Sequence, residues 1–166
     1  MDILVVSDTH GRSDRLLEAV ARTHATTLLF LGDGVRDLLA LPGDIDVTAV
    51  RGNCDFFGAE LPEVRVLEIG AYRLFLTHGH RHFVKSTLDV AIKAAIAADA
   101  DVLLFGHTHE PLERTLPAGT AVGDVTLEKP LLIFNPGSLG HPNGTAPTFG
   151  TLTVRNNGLL AAHGKL

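Results

Sequence analysis

The sequence has little of what secreted and membrane proteins depend on. It contains one cysteine, Cys54, among 166 residues, which excludes an intramolecular disulfide. No apolar run approaches the roughly 20 residues of a membrane helix. The chain starts at Met1 and Asp2, directly before an apolar strand pattern, without the basic and long apolar segments of a secretory signal. We therefore expect a cytoplasmic protein that does not contact a membrane.

Positive charge is also scarce. Lys and Arg total 14 against 19 Asp and Glu, which gives a net charge of -5. Proteins that bind long nucleic acids concentrate basic residues on one face, so we expect no such partner. Bound divalent cations would add local positive charge that this count ignores, and small phosphate esters therefore remain candidate substrates.

Hydrophobic residues make up 45% of the chain, enough for one compact domain over residues 1–166. The first half predicts βαβ units, with strands at 3–6, 27–31 and 46–50 and helices at 12–22 and 36–41. Ser13 is the expected N-cap of the first helix, with Asp14 as the alternative.

The second half is richer in strands. It predicts a hairpin of strands 63–69 and 72–77, a helix at 85–98, a strand at 102–105, and short strands at 112–116, 122–128, 131–134, 149–154 and 159–163. The first half is of the α/β type, the second half is rich in strands, and the chain is long enough for a single hydrophobic core. These features indicate two packed sheets with helices outside.

The most informative pattern is a set of polar residues that follow apolar strands. These residues are Asp8, His10, Asp33, Asn53, His78, His107 and His109. The carboxyl ends of strands in an α/β sheet form the ligand crevice, so we expect these side chains to converge. An i, i+2 spacing in extended backbone would also point His10 the same way as Asp8 and His109 the same way as His107.

Seven nitrogen and oxygen ligands exceed one tetrahedral site and suit two divalent ions bridged by a carboxylate. Asp33, between Gly32 and Gly34, is the expected bridge. Ligands without thiolate favour hard or borderline ions, and we expect manganese, with iron, zinc, nickel and magnesium as alternatives.

The chain resembles the calcineurin-like metallophosphoesterases, in particular the small bacterial and archaeal phosphodiesterases of the YfcE type. The resemblance rests on ordered blocks that span most of the chain, namely SDTHG at 7–11, LGD at 31–33, RGNCD at 51–55, THGH at 77–80, GHTH at 106–109 and NPGS at 135–138. It implies the family's αββα sandwich of two mixed sheets flanked by helices.

The resemblance also implies the distribution of the ligands. One ion would be held by Asp8, His10, Asp33 and His109, and the other by Asp33, Asn53, His78 and His107. It further implies attack on the phosphorus by a hydroxide bridging the two metals, with Asn53 at the catalytic centre.

Cys54 stands where many larger relatives have a catalytic histidine, and His80 is our candidate replacement as the acid that protonates the leaving group. Arg12 is the candidate for binding the substrate phosphate. We interpret Cys54 as a small buried residue and Asp55 as part of a turn or salt bridge. His24, His141 and His163 receive no role.

The predicted function is therefore a metal-dependent phosphodiesterase with an open site that acts on small phosphate esters. A phosphomonoesterase or a nuclease of the same superfamily is an alternative, and so is a non-catalytic protein-binding scaffold such as the retromer subunit that shares this fold. The resemblance is compatible with a homo-oligomer.

Overall fold

The computed structural model describes all residues from 1 to 166. Its twelve strands and two α-helices run in the order β1 (Asp2–Val6), α1 (Ser13–Thr23), β2 (Thr27–Phe30), β3 (Asp46–Ala49), β4 (Val64–Ile69), β5 (Tyr72–Thr77), α2 (Asp89–Ala97), β6 (Val102–Leu104), β7 (Pro111–Leu116), β8 (Ala121–Val122), β9 (Val125–Thr126), β10 (Leu131–Pro136), β11 (Thr148–Arg155) and β12 (Gly158–Lys165). Two 3-10 segments, Val35–Ala40 and His80–His82, complete the regular structure.

Ten of the strands form two mixed sheets of five. The first has the order β12-β11-β1-β2-β3, and the second has the order β4-β5-β6-β10-β7. Strands β1, β2 and β3 are parallel to one another, as are β5, β6 and β10, while the remaining pairs are antiparallel. Each sheet therefore contains three neighbouring parallel strands whose carboxyl ends lie along one edge.

Three apolar layers hold these elements together. The central layer packs side chains such as Val5, Leu76 and Leu152 between the two sheets. Leu16 of α1 packs on the outer face of the first sheet, and Ile92 of α2 packs on the outer face of the second. This arrangement confirms the predicted αββα sandwich.

The structure corrects several predicted elements. The segment predicted as a helix at 36–41 is the 3-10 helix Val35–Ala40, because Pro42 leaves too few residues for an α-helix. The second helix begins at Asp89, not at residue 85. The predicted strand 122–128 is instead the small hairpin of β8 and β9, which turns at Gly123 with a φ of +60°.

The start of α1 also differs from the prediction. Arg12 occupies the N-cap position and makes no side-chain capping bond, so neither Ser13 nor Asp14 caps the helix. Asp14 accepts hydrogen bonds from the Arg12 guanidinium instead. Neither helix has the length and apolarity that crossing a bilayer requires.

Candidate metal centre

The predicted ligands follow the ends of the parallel strands. Asp8 lies past β1, Asp33 past β2, His78 directly after β5, and His107 past β6. The two sheets place these ends at a common edge, where the acidic and imidazole side chains meet. The structure therefore brings the Asp and His side chains of this set together, as expected from the sequence.

The carboxylate of Asp8 lies at the centre of the first group of ligands. It is completely buried. Its Oδ2 accepts hydrogen bonds from the Ser7 hydroxyl at 2.6 Å and the His107 backbone N–H at 3.0 Å. Its Oδ1 has no hydrogen-bond donor and faces Nε2 of His109 at 3.0 Å and Nε2 of His10 at 3.6 Å. A buried oxygen in this position suits a cation shared with the imidazoles.

Asp33 joins this group to a second one. Its Oδ2 lies 3.2 Å from Nε2 of His78 and 3.8 Å from Nε2 of His10. His78 Nε2 in turn lies 3.2 Å from Nδ1 of His107. Donor atoms of Asp8, His10 and His109 lie within 4.8 Å of one another, and so do those of Asp33, His78 and His107. Asp33 therefore lies where a carboxylate could contact ions in both groups.

Five of these predicted ligands have a left-handed backbone. We had expected extended backbone, in which residues two apart point the same way, and the structure corrects this. The φ angles are 55° at Asp8, 45° at His10, 58° at Asp33, 68° at His107 and 61° at His109. Asp and His tolerate this region better than most residues, although it costs about 1 kcal/mol or more at each position. Tight turns after the strands, not extended backbone, thus direct these side chains into the crevice.

Backbone carbonyl groups orient two of the imidazoles. His78 Nδ1 lies 2.7 Å from the carbonyl oxygen of Leu31, and His109 Nδ1 lies 2.6 Å from that of His141. A proton on each Nδ1 leaves Nε2 with a lone pair directed at the carboxylates, which is the form that binds metal. His141, to which we assigned no role from the sequence, therefore contributes to the site through its backbone.

Asp55 fixes the loop that carries Asp33. Its buried carboxylate accepts hydrogen bonds from four backbone N–H groups, those of Asp33, Gly34, Val35 and Gly52, at 2.7 to 2.9 Å. These bonds agree with the turn role, one of the two roles that we expected for Asp55. The interaction ties together the loops after β2 and β3.

Two further interactions hold the loop of Asp8. The buried Asp37 carboxylate accepts hydrogen bonds from the Thr9 hydroxyl and the Gly11 N–H. The Ser138 hydroxyl donates to the Asp8 carbonyl at 2.8 Å. The sequence offered no signal for Asp37, since its partners lie far from it along the chain. Ser138 belongs to the NPGS block, whose predicted structural role is consistent with this contact.

Burial and neighbouring charges shift the pKa values of the predicted ligands in different directions. Burial opposes ionisation of Asp8, but the neighbouring imidazoles of His10 and His109 outweigh it and hold the pKa of Asp8 far below its usual range. Burial likewise disfavours a charged His78, yet the nearby Asp33 carboxylate raises the pKa of this imidazole. Burial and the charge of His78 lower the pKa of His107 to about 4. Ionised carboxylates thus lie beside an imidazole that stays neutral.

These residues fit divalent cations. The orphaned Asp8 Oδ1 is a buried acceptor that a cation would satisfy. The imidazole nitrogens and carboxylate oxygens are donors that manganese, iron and zinc accept.

Asn53 and Cys54 lie on the loop after β3, where the Cys54 sulfur is within 4.8 Å of donor atoms of His10 and Asp33. Asn53 is exposed, and its side-chain amide contacts the Cys54 sulfur at 3.4 Å. Cys54 is also exposed, so our interpretation of it as a buried residue is wrong. Its backbone N–H donates to Asp33 Oδ1 at 2.8 Å. The loop therefore supports Asp33 through its backbone, and the role of Asn53 as a ligand stays a prediction.

His80 and Arg12 differ in their distance from the site. The His80 ring centroid lies 5.5 Å from that of His78, its Nε2 lies 3.6 Å from Glu63 Oε1, and its buried Nδ1 has no partner. Burial, followed by the charge of His78, lowers the pKa of His80. Arg12 instead pairs at the surface with Asp14, at 2.7 and 2.9 Å. The structure brings His80 to the ligands but leaves Arg12 occupied elsewhere.

A cavity of about 520 Å³ adjoins the ligands. Nine residues line it, and Val84 is the one hydrophobic side chain among Val84, Lys85, His107, Thr108, His109, Glu110, His141, Pro142 and Asn143. Arg12 is absent from this lining. The space beside the ligands is therefore polar and suits a charged or hydroxylated molecule.

Comparison with known proteins places this geometry in a family. The chain is 31% identical over 159 residues to the probable metallophosphoesterase YsnB of Bacillus subtilis, a match that covers 95% of this chain and 86% of that protein. The structure of YfcE, a phosphoesterase from E. coli, matches with a TM-score of 0.63 and 27% identity over 92% of this chain and 88% of that one.

Vps29 of Entamoeba histolytica, solved in complex with zinc, shares the fold with a TM-score of 0.70 and 22% identity over 99% of this chain and 98% of that one. The model of the calcineurin-like phosphoesterase superfamily domain matches residues 1–157. With this match over nearly its whole length, the chain belongs to the calcineurin-like phosphoesterase superfamily.

Proposed function

We propose that this protein is a metal-dependent phosphodiesterase that hydrolyses small phosphate esters at a two-metal centre. The observation that carries the proposal is the position of Asp33, whose carboxylate lies between two groups of ligands. Membership in the superfamily supports phosphate-ester hydrolysis with divalent metals. The preference for diesters, the use of manganese and the number of ions are parts of our proposal.

Asp8, His10, Asp33 and His109 would hold one ion, and Asp33, Asn53, His78 and His107 would hold the other. Two divalent ions in such a site supply Lewis acidity toward phosphoryl oxygens and lower the pKa of a shared water molecule. The protein contributes the fixed geometry. Asp55 and Asp37 hold the loops that carry the two carboxylates, so the donors need little reorganisation when substrate binds.

The departing oxygen also needs a proton when the leaving group is poor. Cys54 lies beside Asp33, and partial desolvation together with the negative charge of Asp33 raises the pKa of the thiol. His80 lies beside the imidazoles of His78 and His107 and remains our candidate acid. Its lowered pKa leaves it mostly neutral at neutral pH, so this acid should act best toward lower pH.

The rival hypothesis is a protein-binding scaffold, motivated by the shared fold of Vps29. The complete set of Asp and His ligands favours an enzyme over this alternative. A monoesterase or nuclease of the superfamily would use the same ligands. A cytoplasmic location and a homo-oligomer also stay predictions.

The test is hydrolysis of bis(p-nitrophenyl) phosphate by metal-stripped protein before and after addition of manganese. p-Nitrophenyl phosphate, a monoester, is assayed in parallel. We expect manganese-dependent turnover of the diester that Asp33→Asn abolishes, while Asp44→Asn, at an exposed carboxylate, retains it. Turnover of the monoester alone would replace the diesterase with a monoesterase. Bound metal without turnover of either ester would contradict the proposal and favour the scaffold.

A further inference from the structure

Lys85 is a cation in the cavity that the proposed mechanism does not yet use. It precedes α2, and its side chain lines the cavity together with His107 and His109. Its charge acts on both imidazoles, where it opposes their protonation. Lys85 therefore lies near the ligands without being one of them.

The backbone beside Lys85 is firmly placed. Val84, the preceding residue, is 5% exposed and packs in the apolar layer under α2. It also packs closely on Gly79, where an added Cβ would lie 2.7 Å from Val84 Cγ2. Because the buried Val84 anchors the backbone, Lys85 is held at the cavity wall, where its exposed side chain keeps a flexible stem.

Lys85 is also free of ion pairs, unlike the arginines around the site. Arg12 pairs with Asp14, while Arg51 and Arg81 both pair with Glu63. No carboxylate oxygen lies within 4.0 Å of the Lys85 ammonium.

The one carboxylate of the cavity lining does not pair with Lys85. Glu110 accepts a hydrogen bond from the Asn143 side chain at 2.7 Å. An unpaired ammonium in a polar cavity of a chain with net charge -5 is thus available to an anionic ligand.

We propose that Lys85 is the residue that binds the phosphoryl group of the substrate, by donating to a non-bridging oxygen from the cavity side. This inference rests on the proposed function for the identity of the substrate. It assigns to Lys85 the role that the sequence suggested for Arg12. Since the ammonium contacts an oxygen that carries charge in both the ground state and the transition state, its main effect is on binding.

The experiment compares Lys85→Met, Lys85→Arg, Arg12→Met and Lys165→Met, each loaded with manganese. Lys165 is an exposed, unpaired lysine of β12 and serves as the matched control. KM and kcat are measured with bis(p-nitrophenyl) phosphate. Binding of inorganic phosphate is measured by calorimetry, and bound metal by elemental analysis.

We expect Lys85→Met to raise KM and weaken phosphate binding by about tenfold, with kcat within about threefold of wild type and unchanged metal content. Lys85→Arg should recover most of the binding, and Lys165→Met should match wild type. If Lys85→Met behaves like Lys165→Met, or if Arg12→Met alone raises KM, the role of Lys85 is overturned while the proposed function stands.

The phosphate measurement separates the two proposals. If the wild-type protein turns over no ester, the proposed function fails, yet manganese-loaded protein can still be titrated with phosphate. Weaker phosphate binding by Lys85→Met would then support an anion site at Lys85. Equal or absent binding in both proteins would overturn it.

Discussion

The Asp55 carboxylate accepts a 2.7 Å hydrogen bond from the backbone N–H of Asp33, which lies 22 residues earlier in the chain. Three more N–H groups donate to the same carboxylate. In Asp55→Asn, an amide group would face two N–H donors. Since each unsatisfied donor costs about 1–3 kcal/mol, we expect a loss of roughly 2–4 kcal/mol in the free energy of unfolding.

Urea unfolding of metal-stripped protein measures this change. Asp44→Asn is the control, because Asp44 is exposed, and its effect should stay within about 0.5 kcal/mol. Metal affinity should also fall by about 10–100-fold in Asp55→Asn, as expected when the support of a ligand is removed. Unchanged stability together with unchanged metal affinity would show that Asp55 does not hold the Asp33 loop.

Gly52 gives a second test of the position of Asp33. A Cβ at Gly52 would overlap Asp33 Oδ1 and lie 2.7 Å from the Asp33 backbone nitrogen. We expect Gly52→Ala to displace the carboxylate, to cost about 1–3 kcal/mol of stability and to reduce diester turnover about a hundredfold.

Gly43→Ala is the matched control, since an added Cβ there would meet no atom within 4 Å. Its stability should stay within about 0.5 kcal/mol of wild type. Turnover by Gly52→Ala equal to that of Gly43→Ala would mean that catalysis does not depend on this placement of Asp33.

The sequence was sufficient to predict the sandwich and the convergence of ligands, because apolar strands and strand-end residues are local patterns. Asp8, Asp33 and His78 each follow such a strand. The conformation behind the convergence was not predictable in the same way. The spacing of two residues between Asp8 and His10, and between His107 and His109, suggested extended backbone. His10 and His109 instead adopt positive φ in turns.

The supporting residues show where reading a single sequence reaches its limit. Asp37 and Asp55 act through backbone N–H groups contributed by distant loops, and neither partnership has a sequence signature. His141 acts through its carbonyl oxygen, which every residue type possesses. Lys85 fell within the predicted helix 85–98, and only the later start of α2 at Asp89 places it in a turn at the cavity.

The pH dependence of stability should reveal the neutral state of His107. In metal-stripped protein its folded-state pKa is about 4, below the value of about 6.5 for an unfolded histidine. The unfolded state therefore binds more protons between these values, and His107 destabilises the fold progressively as pH falls. Relative to His107→Gln, wild type should lose about 1 kcal/mol between pH 7 and pH 5, a figure reduced for the partial exposure of the ring.

Urea unfolding at both pH values in the presence of a chelator measures this difference. His24→Asn is the matched control, because it removes an exposed imidazole at a left-handed position that Asn accepts. The pH dependence of His107→Gln is compared with that of this variant. A gain in wild-type stability over His107→Gln at pH 5 would mean that His107 is protonated in the folded protein.

The role of His80 can be separated from metal binding by varying the leaving group. Its ring lies 5.5 Å from His78 and 6.2 Å from His107 between centroids, and no Asp or Glu other than Glu63 lies within ion-pair distance. If His80 protonates the departing oxygen, His80→Gln should matter little for nitrophenolate, which leaves without a proton. It should lower kcat by at least about tenfold for a diester of unsubstituted phenol.

The measurement is kcat across a series of aryl diesters at constant manganese, with bound metal determined for each variant. His82→Gln is the matched control, since His82 belongs to the same 3-10 segment but contacts Thr77 and Phe75 instead of the ligands. A uniform loss across the series would assign His80 to positioning or metal binding. A loss that grows as the leaving group becomes more basic would identify His80 as the acid that this chain uses where larger relatives have a histidine in place of Cys54.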